Sequence, residues 1–261
     1  MFDYHMHSIV SFDGHDTGLA LARAAADRGL KEICFTDHAD YDPAAAVQTM
    51  LFDISAYNRE YNDLEVPGVK IRRGMEFGLL RNNQSLLLQR LSQRHYDFVL
   101  GSVHFTDGVD VYFKEYWQDK IPFQAQRRFL EETLACVQVH DDFDVLAHLT
   151  FLNKSPFNPV RFPMPYDAHR EVLDEILKTL ARKGKGLEMN TSGVDRKVGY
   201  LPTIEYFRRF RELGGEIVTV GSDAHRTDRV GQYCADACRM LGEIFGYVCT
   251  FENRQPVFHK M

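Results

Sequence analysis

Seven short apolar runs, separated by longer segments, constrain the fold of this chain more than any other feature of its sequence. The runs are mostly continuous rather than alternating, which is typical of parallel strands that are buried on both faces. These predicted strands are Phe2–His5, Ile33–Thr36, Val69–Met75, Phe98–Ser102, Asp144–Ala147, Gly186–Asn190 and Ile217–Gly221. Repeated strand-then-helix units predict either a parallel barrel or a doubly wound sheet.

The segments between these runs carry helix signals. Four segments have apolar residues at helical spacing, namely residues 17–29, 167–183, 203–213 and 229–245. Residues 105–123 and the proline-rich 151–166 are the longest irregular stretches, and we expect both to be loops that cover a site. The length of 261 residues and the absence of a linker or repeat predict one α/β domain over residues 1–261.

Composition narrows the class of protein. The formal net charge of −6 argues against a nucleic-acid-binding surface, which normally shows a basic excess. The N-terminus has no signal-peptide pattern, and no apolar run approaches the roughly 20 residues that span a bilayer, so we expect no membrane partner. Five cysteines without a disulfide or zinc-site spacing predict reduced, mostly buried thiols in the cytoplasm.

Side chains of the type that bind metals follow six of the seven predicted strands. They are His5, His7, Asp13, His38, Glu76, His104, His148, Asp223 and His225. The carboxyl ends of parallel strands meet at one face of a barrel, so these side chains are expected to converge there. Six histidines and three carboxylates are too many for one ion and suit two or three.

A simpler alternative exists for each residue taken alone. A single histidine at a strand end is more often a hydrogen-bonded structural residue than a metal ligand. Recurrence at six strands argues against this alternative for the whole set, because burying so many imidazoles and carboxylates without a metal is costly.

The motifs that contain these residues resemble those of a known family. HMHS, TDHAD, GMEFG, GSVHF, AHL and GSDAH, in this order, are similar to the motifs of the polymerase and histidinol phosphatase (PHP) superfamily. GSVHFTDG, followed by EMNTSG and VGSDAH, resembles the histidinol-phosphate phosphatase branch in particular. The resemblance extends from residue 3 to about residue 231. It implies a single-domain, distorted seven-stranded (β/α) barrel of TIM type, with two or three divalent ions of zinc, iron or manganese.

The resemblance also implies how the ligands are shared. His5, His7, Glu76 and Asp223 would hold the first metal, Glu76 with His104 and His148 the second, and Asp13, His38 and His225 the third. Ser11-Phe12-Asp13-Gly14 matches the family's Ser-Asp-Gly turn with one residue inserted, and His15 is the alternative to Asp13.

The expected chemistry is attack of a metal-activated hydroxide on a phosphate monoester, a reaction that is very slow without catalysis. Glu76, Asp223 and His225 are the predicted catalytic residues, and Asp37 is expected to orient an imidazole. Lys154, Arg161 and Arg196 are the predicted phosphate-binding residues, with Arg226 a weaker candidate and a solvated surface position the alternative for each. The aromatic segment Val111–Trp117 either caps the substrate pocket or packs on the barrel.

Spacing alone indicates a multinuclear metallohydrolase that acts on a small phosphoester. The resemblance implies hydrolysis of L-histidinol phosphate to L-histidinol in histidine biosynthesis. One alternative is a PHP phosphoesterase for another small phosphate, such as a nucleotide. Another is a non-catalytic metal-binding module, like the PHP domains appended to some polymerases.

Overall fold

The computed structural model describes residues 1–160 and 163–261. Its strands are β1 (Phe2–Met6), β2 (Glu32–Phe35), β3 (His38–Ala39), β4 (Lys70–Gly78), β5 (Phe98–Ser102), β6 (Phe105–Thr106), β7 (Val109–Asp110), β8 (Val145–Leu146), β9 (Gly186–Asn190), β10 (Val218–Gly221), β11 (Tyr247–Glu252) and β12 (Gln255–Lys260). Its helices are α1 (Gly18–Asp27), α2 (Ile54–Tyr61), α3 (Gln84–Gln93), α4 (Lys114–Trp117), α5 (Pro122–Val139), α6 (Arg170–Arg182), α7 (Ile204–Glu212) and α8 (Cys234–Phe245).

Seven parallel strands form a nearly closed barrel in the order β1-β2-β4-β5-β8-β9-β10, with the short β3 paired beside β4. The backbone just after β10 contacts the end of β1. Asp223 N–H donates to His5 O at 2.7 Å, and His7 N–H donates to Ala224 O at 2.8 Å. The predicted distorted seven-stranded barrel is therefore confirmed, and the doubly wound alternative is wrong.

The predicted strands match the observed ones closely. Phe98–Ser102 and Gly186–Asn190 are identical to β5 and β9, and the other bounds shift by a few residues. The main difference is β4, which continues to Gly78, so that Glu76 lies within the strand rather than after it. Gly29 follows α1 with φ of +70°, as a helix C-cap requires.

No bounds were predicted from sequence for α2, α3 and α5, and α4 lies in a segment that was predicted to be a loop. Only Leu87 and Arg90 are buried on α3, so its apolar stripe is weak. The segment 105–123 also contains more regular structure than predicted, because β6 and β7 form a small hairpin and α4 follows it.

A C-terminal antiparallel hairpin of β11 and β12, also not predicted, covers the amino-terminal end of the barrel. Phe251 N–H donates to the Tyr4 hydroxyl at 3.0 Å, and the Phe251 ring lies 4.7 Å from that of Phe98. Arg254 pairs with Asp144 at the start of β8. The hairpin therefore closes the barrel at the end opposite the predicted metal ligands.

The cysteines agree with the predicted reduced state. All five are free and buried, including Cys234 and Cys238 on α8. Within residues 1–160 and 163–261, we find no helix with the length and apolar character needed to cross a bilayer.

Candidate metal centre

The nine predicted metal ligands come together at the carboxyl end of the barrel. His5 and His7 are two residues apart at the end of β1, so both side chains point to the same face. Glu76 lies on β4 and His38 on β3, and these two residues are direct register partners. The others lie in loops that leave the strand ends: Asp13, His104, His148, Asp223 and His225.

Glu76 is the central residue of the cluster. Its Oε2 atom lies 3.0–3.5 Å from ring nitrogens of three histidines, and its Oε1 atom lies 2.8–3.5 Å from those of two others. The first three are His38, His5 and His7, and the other two are His148 and His104. Ser102 Oγ donates to Oε1 at 2.5 Å. One buried carboxylate therefore contacts histidines from all three predicted ligand sets.

Asp223 provides a second point of convergence. Its Oδ1 atom lies 3.5 Å from His7 Nε2, 3.7 Å from His225 Nδ1 and 3.8 Å from His5 Nε2. Its Oδ2 atom accepts from Ser192 Oγ at 3.2 Å and pairs with the partly buried ammonium group of Lys154. The predicted first-metal ligands are thus adjacent, and Lys154 lies directly beside them.

The third predicted set is also assembled. Asp13 Oδ2 lies 3.1 Å from His225 Nε2 and 3.7 Å from His38 Nε2. The His7 ring packs against those of both His38 and His225, at centroid distances of 4.3 and 4.2 Å. His15, the alternative ligand, is exposed. The geometry therefore favours Asp13 over His15.

Burial and mutual charge determine the protonation states of the cluster. Burial would raise the pKa of Glu76, but the facing imidazoles of His5 and His38 hold it well below its usual range. Burial of His7, together with nearby His225 and His38, lowers its pKa to about 3. His7 is therefore neutral near pH 7, which is the form of imidazole that binds metals.

His38 is shifted in the opposite direction. Burial would lower its pKa, but the carboxylates of Glu76 and Asp40 raise the pKa of His38 to about 9. A negative environment of this kind stabilises a cation, whether a protonated imidazole or a divalent ion.

The donor atoms fit metal ions. His5 Nε2, His7 Nε2 and Glu76 Oε2 are buried and have no hydrogen-bond partner among the described residues. Unpartnered buried polar atoms are costly in a folded protein, and a bound cation would satisfy them. Four groups of three residues place their donor atoms within 4.8 Å of one another: His7, His38 and His225; His5, Glu76 and His148; His5, His7 and Asp223; and His38, Asp40 and His104. Overlapping groups of imidazole and carboxylate suit more than one ion.

Asp40 is a supporting residue that was not predicted from sequence. Its Oδ1 atom lies 2.9 Å from His104 Nδ1, and its Oδ2 atom lies 2.8 Å from His38 Nδ1. Gly78 makes room for this carboxylate, because a Cβ atom there would lie 1.9 Å from Asp40 Oδ1. The spacing of His38 and Asp40, two residues apart in TDHAD, was the available signal.

Asp37 does not have its predicted role. Instead of contacting an imidazole, its carboxylate accepts from Ser8 N–H at 2.9 Å, from Ser11 Oγ at 2.9 Å and from the Tyr61 hydroxyl at 2.5 Å. Asp37 precedes β3 and Asp40 follows it, and of the two carboxylates it is Asp40 that lies beside imidazoles of the cluster.

A cavity of about 740 Å³ opens over the cluster, and three of the four predicted phosphate-binding residues line it: Lys154, Arg196 and Arg226. Arg196 is exposed and donates to the Tyr112 hydroxyl at 3.1 Å. Arg161 lies outside the described residues. The segment Val111–Trp117 serves both predicted purposes, because Tyr112 and Phe113 line the cavity while Val111, Tyr116 and Trp117 are buried.

Comparisons with known proteins agree with this geometry. Residues 3–192 match the model of the PHP domain. The histidinol-phosphatase of Lactococcus lactis is 33% identical over 87% of this chain and 85% of its own length. The probable histidinol-phosphatase of Clostridium acetobutylicum is 28% identical over 99% of this chain and 96% of its own.

Solved structures give the same result. One is a crystal structure of the histidinol phosphate phosphatase of Lactococcus lactis, complexed with zinc, L-histidinol and phosphate. It superposes on this chain with a TM-score of 0.88. It is 29% identical in sequence, and the match covers 98% of both chains. A putative histidinol phosphatase of Listeria monocytogenes, at 18% identity and a TM-score of 0.77, shares the fold over 91% of this chain and 100% of its own.

Proposed function

The chain belongs to the PHP domain family, and we propose that it is a metal-dependent phosphatase that hydrolyses L-histidinol phosphate to L-histidinol and phosphate. The observation that carries this proposal is the convergence of nine ligand side chains around Glu76 and Asp223 at the floor of one cavity. The relatives named histidinol-phosphatase support the choice of substrate. We propose that residues 1–261 act as one domain.

The proposed ligands of two or three divalent ions of zinc, iron or manganese are His5, His7, Asp13, His38, Glu76, His104, His148, Asp223 and His225. When bound, such ions neutralise phosphoryl oxygens and lower the pKa of water, which provides a nucleophile at neutral pH. Glu76 and Asp223 supply the negative charge that holds them, because the pKa of each carboxylate is well below its usual range despite burial.

Residues at the cavity wall are proposed to bind the phosphate. Lys154 presents a cation beside Asp223, and the Arg196 guanidinium lies at the exposed rim, where it also contacts Lys154 O at 3.3 Å. Arg161 is proposed for the same role. His225 is the least buried of the histidine ligands and lines the cavity, so it lies at the boundary between the metals and the substrate.

The rest of the cavity suits a flat, cationic organic group. Aromatic rings form much of its wall: Phe12, Phe105, Tyr112, Phe113 and Phe151. Asp110 also lines it; its carboxylate accepts from Tyr112 N–H at 2.8 Å and pairs with no cationic side chain among the described residues. An ammonium or imidazolium group would find both aromatic faces and a carboxylate there. These features favour histidinol phosphate over a nucleotide. The organic half of a nucleotide is uncharged and would not pair with this carboxylate.

The five free, buried thiols are typical of a cytoplasmic protein, which is where we propose that the activity takes place. The small cavity and the net charge of −6 support a small phosphorylated substrate rather than a nucleic acid or a membrane surface.

The proposal is tested by kcat/KM for a panel of esters after loading with zinc or manganese: L-histidinol phosphate, p-nitrophenyl phosphate, nucleoside monophosphates and a phosphodiester. We expect a clear preference for L-histidinol phosphate. Loss of bound metal and of activity is expected in His7→Ala and Asp223→Ala but not in His95→Ala, since His95 is exposed and bonds Asn253 away from the site. A nucleotide preference would select the alternative substrate. Metal binding without turnover of any ester would indicate a binding module.

A further inference from the structure

Glu188 lies in the middle of β9, with its side chain fully buried inside the barrel. Its Oε1 atom is 2.7 Å from His5 Nδ1, and its Oε2 atom accepts from the His148 backbone N–H at 2.9 Å. The Asn190 amide also donates to Oε2, at 3.3 Å. One carboxylate outside the proposed ligand set therefore contacts two proposed ligands that come from different strands.

The contact with His5 determines which ring nitrogen faces the metal centre. An ionised carboxylate can only accept, so His5 Nδ1 carries the proton and Nε2 has a free lone pair. His5 Nε2 has no hydrogen-bond partner among the described residues, and it lies 3.3 Å from Glu76 Oε2 and 3.8 Å from Asp223 Oδ1. This is the arrangement in which a carboxylate orients a metal-binding histidine.

The contact with His148 acts through the backbone. His148 has φ of +21°, a region that residues with a side chain rarely adopt. The hydrogen bond from its N–H to Glu188 helps to hold that conformation, and the ring Nε2 then lies 2.8 Å from Glu76 Oε1. A strained backbone persists only where its surroundings fix it.

The neighbouring strand leaves room for this carboxylate. A Cβ atom on Gly221, at the end of β10, would lie 2.3 Å from Glu188 Oε1 and 2.3 Å from the His5 Cβ atom. Only glycine at this position allows Glu188 and His5 to meet.

We propose that Glu188 is a positioning residue that orients His5 and His148 for two of the ions in the metal centre. This inference rests on the metal centre of the proposed function. It does not depend on the identity of the substrate.

The test compares two Glu→Gln variants. Glu188→Gln keeps the size of the side chain but has only one acceptor oxygen for the three donors that contact Glu188. Glu32→Gln is the control, because Glu32 is also a buried strand residue, bonds Tyr4 and Arg72, and lies at the other end of the barrel. We measure zinc affinity by competition with a chromophoric chelator, and the visible spectrum after loading with cobalt.

We expect the zinc affinity of Glu188→Gln to fall by about 10- to 100-fold, the usual effect of losing a residue that orients a ligand. Its cobalt spectrum should change, and Glu32→Gln should retain wild-type affinity and spectrum. Should Glu188→Gln fail to fold, ¹⁵N-histidine NMR of the zinc-loaded wild type provides a second measurement, with a proton expected on His5 Nδ1.

Wild-type zinc affinity and cobalt spectrum in Glu188→Gln would overturn the proposal, as would an unprotonated His5 Nδ1 in the zinc-loaded protein. None of these measurements uses phosphate release, so a wrong substrate assignment would leave their outcome unchanged.

Discussion

Glu76 and Asp223 each face several imidazoles at distances below 4 Å, too long for most of these contacts to be direct hydrogen bonds. Side chains held this close, mostly without direct hydrogen bonds between them, are typical of ligands arranged around an ion. Asp40 and Glu188 fix the outward ring nitrogens of His104 and His5. The residues of the site therefore form two groups: side chains that face the cation, and carboxylates that orient those side chains.

Asp110 is expected to select for a positively charged substrate. Replacement by asparagine should raise the KM for L-histidinol phosphate by about 10-fold, because a charged hydrogen bond contributes about 1.5–3 kcal/mol and 1.4 kcal/mol is a factor of ten. The KM for p-nitrophenyl phosphate, whose organic half is uncharged, should not change. Asp107→Asn is the control, since Asp107 is exposed in the same hairpin and pairs with Arg128. An equal rise for both esters would contradict this role.

Helices α6 and α7, on the outside of the barrel, are joined by an ion pair as well as by apolar packing. Asp174 on α6 accepts from Arg209 on α7, with Oδ1–Nε and Oδ2–Nη2 distances of 3.0 and 2.6 Å. The Tyr166 hydroxyl donates to the same carboxylate at 2.6 Å. The Arg209 guanidinium and this hydroxyl lower the pKa of Asp174 to about 2. A bidentate, partly buried pair of this kind contributes more than most surface ion pairs.

The contribution of Asp174 to stability should depend on pH. Its folded pKa is lower than its unfolded value, so the stabilisation is complete above pH 4 and is lost as the pH falls toward 2. At pH 7, Asp174→Asn should lower the free energy of unfolding by about 1 kcal/mol, after allowance for partial exposure. Urea unfolding should show this difference shrinking below pH 4. Asp167→Asn, at a highly exposed ion pair with Arg170, should have almost no effect. A pH-independent difference would count against the ion pair.

The two ends of the barrel differ in how their buried charged and polar groups are partnered. At the amino-terminal end, charges are paired within the protein, as in Arg72 with Glu32 at 2.8 Å and Arg254 with Asp144. At the carboxyl end, donor atoms such as His5 Nε2 and His7 Nε2 have no hydrogen-bond partner in the described part of the chain. The charges at the amino-terminal end are neutralised by other side chains. The donor atoms at the carboxyl end are satisfied only when a cation binds.

The stability of the whole molecule should therefore depend on metal. A ligand that binds only the folded state at 100 times its Kd adds about 2.7 kcal/mol, which corresponds to roughly 5–10 °C in Tm for a chain of this size. Treatment with a chelator should lower the Tm by this amount, and added zinc or manganese should restore it. Glu76→Gln should lose most of the metal-dependent shift. Equal Tm values with and without metal in the wild type would contradict a metal centre of this kind.

The sequence by itself determined the strand order along the chain, the bounds of β5 and β9, and the residue types that meet at the site. These follow from local properties, because burial on both faces requires continuous apolar runs and parallel strands deliver their carboxyl ends to one face. The grouping of Glu76 with His104 and His148 came from the resemblance of their motifs to those of the PHP superfamily.

Only the tertiary structure decided that Asp40 rather than Asp37 supports His38, that Glu188 reaches His5, and that the C-terminal hairpin closes the barrel. It also showed the bounds of α2, α3 and α5, which were not predicted from sequence. These features depend on which residues distant in sequence pack together: His5 and Glu188 are 183 residues apart, and Tyr4 and Phe251 are 247 apart. Apolar pattern and motif spacing report what one segment prefers, whereas a contact between two segments exists only after the barrel has closed.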